Sequence, residues 1–111
     1  MTVEQIVQAQ LDHYNNHELE AFVELFHVDI KVYDLAKNTL RFEGRDDFRE
    51  RYRNRFADGT VHAKLVNRMV IGNQVIDHEH VTTGDSDQVK QAVAIYEVIG
   101  EIITKVWFLY D

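Results

Sequence analysis

From Val61 to its end the chain alternates as extended structure with almost no interruption, and this half dictates what the first half must supply. Four runs, 61–71, 74–83, 88–98 and 101–110, are separated by turn-forming residues: Gly72-Asn73 and Ile99-Gly100 at two-residue hairpin spacing, and Gly84-Asp85-Ser86-Asp87 as a longer polar loop. An antiparallel meander follows. With tight turns, the first hairpin sets Val61, Ala63, Leu65, Asn67 and Met69 against Ile76, His78, His80 and Thr82 on one face, and pairs Arg68 with Asp77 on the other, an exposed-looking arrangement. The last hairpin sets Ala92, Ala94, Tyr96 and Val98 opposite Ile103, Lys105 and Trp107, with Val93, Ile95, Ile102, Thr104, Val106 and Phe108 on the reverse. Both faces of this sheet are substantially apolar, so both need a cover.

The first half supplies one cover. Val3, Ile6, Val7, Gln10, Leu11 and Tyr14 recur at helical spacing behind Thr2 and Gln5, which read as a capping box, so a helix is predicted from residue 3 to about 15. A second, short helix runs from Glu18 to Phe26, and a third from Asp46 to about Phe56, with Phe48, Tyr52, Arg55 and Phe56 on its inner face. Between them lie the strand Ile30-Lys31-Val32-Tyr33-Asp34-Leu35 and a brief extended piece, Thr39 to Glu43. With the helices on one face, a second copy of the chain covers the other: a homodimer through the outer sheet surface is expected. The 111 residues, 45% of them hydrophobic, suit a single domain spanning 1–111 with one ordinary core.

Composition excludes several function classes. Twelve Lys and Arg against nineteen Asp and Glu leave a net charge of −7, which opposes attraction to nucleic acid and to anionic membranes. The absence of cysteine removes thiolate metal sites, iron–sulfur clusters and cysteine nucleophiles. The start, MTVEQIVQAQ, lacks the basic and apolar order of a secretory signal, so a cytoplasmic protein is expected. Phosphate-cradling glycine loops, the G-x-S-x-G elbow and H-E-x-x-H are missing, and no cofactor is implied.

The run Tyr14-Asn15-Asn16-His17-Glu18-Leu19-Glu20-Ala21-Phe22, followed by Leu25-Phe26-His27-Val28-Asp29-Ile30-Lys31-Val32-Tyr33-Asp34, resembles the opening of the NTF2-like superfamily, in particular its SnoaL-like and steroid delta-isomerase-like members. The segment from Phe42 to Arg49 is similar to that family's third-helix start, and Tyr96 to Tyr110 to its closing hairpin. The resemblance implies an α+β cone, a curved antiparallel sheet wrapped around N-terminal helices in a cystatin-like arrangement, with a mostly apolar pocket open at one end. It also implies an isomerase, cyclase or dehydratase acting on a small apolar or aromatic organic ligand, or else a non-catalytic ligand-binding or stress-associated module. Asp34 falls where the ketosteroid isomerases place their general base. Their oxyanion-hole tyrosine falls at Gln10 and their protonated aspartic acid at about Ala94 or Ile95, so both donors are absent from those positions.

The expected site therefore has Asp34 as proton acceptor with His80 or Lys105 as its electrostatic partner. Tyr14, Phe26, Tyr52, His78, Tyr96, Lys105 and Trp107 are its substrate-binding walls. The alternative for Asp34 is a solvated or arginine-paired carboxylate at a strand end. His78 and His80 share a strand face, the start of a metal site, but nothing recognisable supplies a third ligand. A register slip of one residue would turn Lys105 to solvent and make Trp107 surface or dimer packing. The other histidines, His13, His17, His27 and His62, read as surface residues, and the arginines between 45 and 55 as a solvated, charge-paired face.

Overall fold

Thr2 begins the first helix as expected: its hydroxyl accepts from the Gln5 N–H at 3.1 Å, and the Gln5 side chain accepts from the Thr2 N–H at 2.9 Å. In this computed structural model, which describes residues 1–84 and 88–111, α1 spans Val3–Asn15, α2 Leu19–Val23 and α3 Arg45–Phe56. The strands are β1 Phe26–Asp34, β2 Thr39–Glu43, β3 His62–Ile71, β4 Gln74–Thr82, β5 Lys90–Ile99 and β6 Ile102–Tyr110. The polar loop read at Gly84 to Asp87 lies, for Asp85, Ser86 and Asp87, outside the described residues.

One curved sheet carries all six strands in the order β2-β1-β6-β5-β4-β3. The meander β3 to β6 is antiparallel throughout, and β1 adds parallel to β6, closing the sheet toward its β2 edge. The three helices lie on the concave face, α1 against β3 to β6 and α3 against β1 and β2. Their shared interior is aromatic: Phe26 and Phe48 have ring centroids 4.4 Å apart, Phe48 and Tyr52 4.6 Å, Phe22 and Tyr52 4.9 Å. No described helix is long and apolar enough to cross a membrane.

Within the β3–β6 meander, two bulges depart from the uninterrupted alternation. In β3, Arg68 opposes Asp77 and Asn67 opposes His78, but beyond Val66 the pairing shifts, so that Leu65 opposes Glu79 and Ala63 opposes Val81. The extra residue reverses the inward and outward assignment along β3. Ala63 and Leu65 thus share the concave face with Glu79 and Val81, whereas His78 and His80 face outward. In the last hairpin the turn is Gly100-Glu101 rather than Ile99-Gly100; both residues have positive φ, 59° and 66°, as a type I′ turn requires. A second bulge at Thr104, whose hydroxyl donates to the Glu97 carboxylate at 2.7 Å, then pairs Tyr96 with Val106 and Glu97 with Lys105.

Candidate active site

Between α1, α3 and the concave sheet lies a cavity of about 40 Å³, walled by Tyr14, Phe26, Tyr52, Tyr96, Val106 and Phe108, among others. Most of this wall is apolar. Among the polar groups that interrupt it, Gln10, Tyr96 and Glu79 each have a structural reason to be there. Gln10 falls on the buried stripe of α1, 3% exposed, and its Nε2 donates to the Tyr96 hydroxyl at 3.1 Å. Tyr96 comes from β5, where its alternation with Ala92 and Ala94 points it inward. Glu79 comes from the middle of β4, 6% exposed, on the same side as Val75 and Val81.

Glu79 is the electrostatically unusual residue of the site. Burial pushes its carboxyl up to about 7, and the nearby Asp77 carboxylate adds to the effect, while Arg68 opposes it. Asp77, fully buried beside it, is neutralised instead: Arg68 Nε donates to Asp77 Oδ1 at 2.7 Å and Nη2 to Oδ2 at 2.9 Å. Arg68 also donates to Gln8 Oε1, tying β3 to α1. Two acids two residues apart on one strand face are therefore differentiated, one held in a bidentate ion pair and one left to the cavity.

Of the four tyrosines that line this space, Tyr14 and Tyr96 have hydroxyls held by side chains of the helices. Tyr14 accepts a 2.7 Å hydrogen bond from Arg55 Nε, and Tyr96 accepts the one from Gln10. Because each hydroxyl is held as an acceptor, its own O–H is left to donate to something else. Burial pushes the acidity of both phenols down, raising their pKa above the ordinary tyrosine value; for Tyr14 the Arg55 guanidinium partly offsets this.

Outward, the cavity shares Tyr52, Arg55, Phe108 and Tyr110 with a vestibule of about 370 Å³ that also takes in Arg41, Phe42, Arg51 and Asn54. Its walls are rings and guanidinium groups: the Arg51 guanidinium carbon lies 4.1 Å from the Phe42 ring centroid and that of Arg41 5.8 Å from Tyr110.

A family model of the SnoaL-like domain matches residues 7–106, nearly the whole chain. The chain belongs to the SnoaL-like domain family. Among solved structures, it is similar to an uncharacterised cystatin-fold protein from Novosphingobium aromaticivorans, with 23% identity, a TM-score of 0.88 and 98% of each chain covered. A candidate ketosteroid isomerase from Kribbella flavida superposes with a TM-score of 0.85 at 16% identity, over 98% of this chain and 77% of that one. A candidate SnoaL-like polyketide cyclase from Shewanella putrefaciens does so at 0.79 and 14% identity, over 98% and 79%. At these identities the likenesses show the fold, an NTF2-like α+β cone, and not the chemistry. No curated protein matches the chain.

Within the SnoaL-like cone, four of the residues read from sequence meet at the cavity: Tyr14, Phe26, Tyr52 and Tyr96. The others do not. Asp34 ends β1 away from the cavity wall, and its Oδ1 accepts from the Lys37 N–H at 2.9 Å, fastening the turn into β2. It is a strand-end carboxylate, but its partner is a backbone N–H rather than an arginine. His78 and His80 lie on the outer face, their rings 5.6 Å apart, and His78 Nε2 bonds to Gln91 Oε1 at 2.8 Å. Among the described residues no cluster of three or more His, Asp or Glu could hold a metal ion. Lys105 and Trp107 also face outward, displaced by the last hairpin's register, with Trp107 stacked on Tyr33 at 5.5 Å.

Three surface readings also change. The Arg68–Asp77 pair, read as exposed, is buried, with side chains 10% and 0% exposed. His17 is half-buried, with Nε2 bonded to the Val61 carbonyl at 2.7 Å and its ring against Phe56. Of the helix arginines, Arg49, Arg51 and Arg53 pair with carboxylates, but Arg45 donates to the Phe26 carbonyl and Arg55 to Tyr14. Glu79 escaped the sequence reading, whereas Gln10 was placed on the inner stripe of α1 but given no role in the site. The face Val75-x-Asp77-x-Glu79-x-Val81, acids bracketed by valines and facing Arg68, was the available signal that these acids turn inward.

Proposed function

We propose that this SnoaL-like protein is an acid–base enzyme that moves a proton next to a carbonyl in a small organic substrate, with Glu79 as the proton acceptor and donor. The observation that carries this reading is a carboxyl group brought to about 7 in a mostly apolar cavity, where it exchanges protons readily near neutral pH. Removing a proton α to a carbonyl creates an enolate, which needs donors at its oxygen. The O–H groups of Tyr14 and Tyr96, oriented by Arg55 and Gln10, supply them. The same set serves isomerisation or intramolecular aldol-type cyclisation, which differ in where the enolate goes next. The names of the isomerase and cyclase neighbours are consistent with either.

The test is hydrogen–deuterium exchange at the α-carbon of a panel of enolisable ketones and 1,3-dicarbonyls in D2O. Exchange above the buffer rate is expected to rise with pH to a plateau above about 7. Glu79→Gln should abolish it, and Tyr14→Phe or Tyr96→Phe should slow it by up to about 100-fold. Exchange that persists undiminished in Glu79→Gln would dismiss the mechanism. Ligand binding with no exchange at all would favour a non-catalytic binding module.

The outer sheet face is proposed to meet a second copy of the chain. Met69, Ile76, Ile95, Trp107 and Tyr33 are consecutive cross-strand partners and form one apolar row across five strands.

A further inference from the structure

The inner cavity holds little more than a carbonyl-sized group, so the body of any substrate that reaches Glu79 must lie in the vestibule, and the vestibule has a charge that the rest of the chain does not. The chain carries nineteen acids against twelve Lys and Arg, yet the vestibule wall presents Arg41, Arg51 and Arg55 and no carboxylate among the described residues. Arg51 is neutralised by Asp47 at 3.1 Å. Arg41 and Arg55 have no carboxylate partner among the described residues: their partners are the phenols of Tyr110 and Tyr14. Two guanidinium groups left uncompensated beside aromatic walls form a receptor for an oxyanion, and each stacked or phenol-bonded fork retains N–H groups to donate. The volume, about 370 Å³, is that of a small-molecule site. Tyr52, Phe108 and Tyr110 offer it ring surfaces for a flat body.

We infer that the vestibule is an anion subsite selecting flat, unsaturated organic acids, whose carboxylate is held by Arg41 and Arg55 while the opposite, reactive end enters the cavity. The placement of the reactive end rests on the acid–base role of Glu79; the anion subsite does not.

Calorimetric titration of the whole protein with trans-cinnamate and with its neutral amide, trans-cinnamamide, tests this. Cinnamate should bind at least about tenfold more tightly than the amide, and more weakly as salt is raised. Arg41→Gln, an exposed residue with no carboxylate to orphan, should weaken cinnamate about tenfold and leave the amide nearly unchanged. Arg53→Gln makes the same change in net charge on the side of α3 away from the vestibule, and should alter neither. Equal binding of acid and amide, binding of neither, or equal effects of the two substitutions would overturn the inference. The titration of Glu79, followed by its carboxyl ¹³C resonance, separates the two readings. Selectivity for the acid with an ordinary Glu79 would leave the anion subsite standing and remove the acid–base proposal. A Glu79 midpoint near 7 without selectivity would do the reverse.

Discussion

Glu79 has a carboxyl that the fold prefers to keep protonated, and that preference has a cost at neutral pH. Its folded value, about 7, lies above the ordinary 4.5, so its contribution to stability is complete below about 4.5 and is lost as pH rises through 7. The full loss is about 3 kcal/mol, taking 1.36 kcal/mol per pH unit between the two values. Glu79→Gln removes the ionisation and keeps the shape. In urea unfolding, the variant should gain on the parent chain between about pH 4.5 and pH 7, by up to about 3 kcal/mol, with little change in their relative stability on either side of that window. A difference that does not vary with pH would mean that Glu79 titrates normally. Asp77 illustrates the opposite arrangement, an acid whose charge is fully matched. Asp77→Ala leaves the Arg68 guanidinium, a side chain only 10% exposed, with Gln8 alone, and should cost about 3–5 kcal/mol. Replacing both partners, as in Arg68→Met with Asp77→Leu, should restore most of that loss in the same measurement.

At the scale of elements, the positions that were legible in the sequence are those fixed by periodicity within one segment. Tyr14 and Gln10 on α1, Tyr52 on α3 and the Ala92, Ala94, Tyr96 face of β5 all point as their spacing requires. Positions fixed by the pairing of two segments were not legible. The bulges at Val66 and Thr104 leave no mark in the hydrophobic pattern, because Val66 is itself apolar and Thr104 suits either face of a strand. Each bulge displaces its strand by one residue relative to its neighbour. A displacement of one reverses every side chain beyond it, so Lys105 and Trp107 exchange places with Val106 and Phe108. Asp34 shows a different limit. Its parity along β1 is inward, matching Val32, but β1 ends there, and the carboxylate satisfies the Lys37 N–H instead of facing a cavity. A strand's alternation tells which face a residue takes, and not whether the sheet still has an interior at that point.

For the whole molecule, the helices cover the concave face only, and the convex face retains its row of large side chains. Ile95 sits at the centre of that row, between Ile76 and Trp107, and Trp107 is stacked on Tyr33 at the β1 end. Beside the row, Lys31 pairs across strands with Glu43, and Lys105 with Glu97, so the rim carries both signs of charge. A rim with both signs is what an isologous dimer needs, because two-fold rotation sets the same patch against itself. Such an interface would draw its affinity from the buried apolar centre rather than from the charges around it. Ile95→Glu places a carboxylate where two copies would meet, opposed by its own symmetry mate, and leaves the concave core untouched. Sedimentation equilibrium should therefore find a dimer for the parent chain and a monomer for Ile95→Glu. The titration of Glu79 should be unchanged between the two, because its cavity is built from a single chain. A parent chain that sediments as a monomer at concentrations where the variant does the same would leave the convex row as exposed surface and remove the second copy from the proposal.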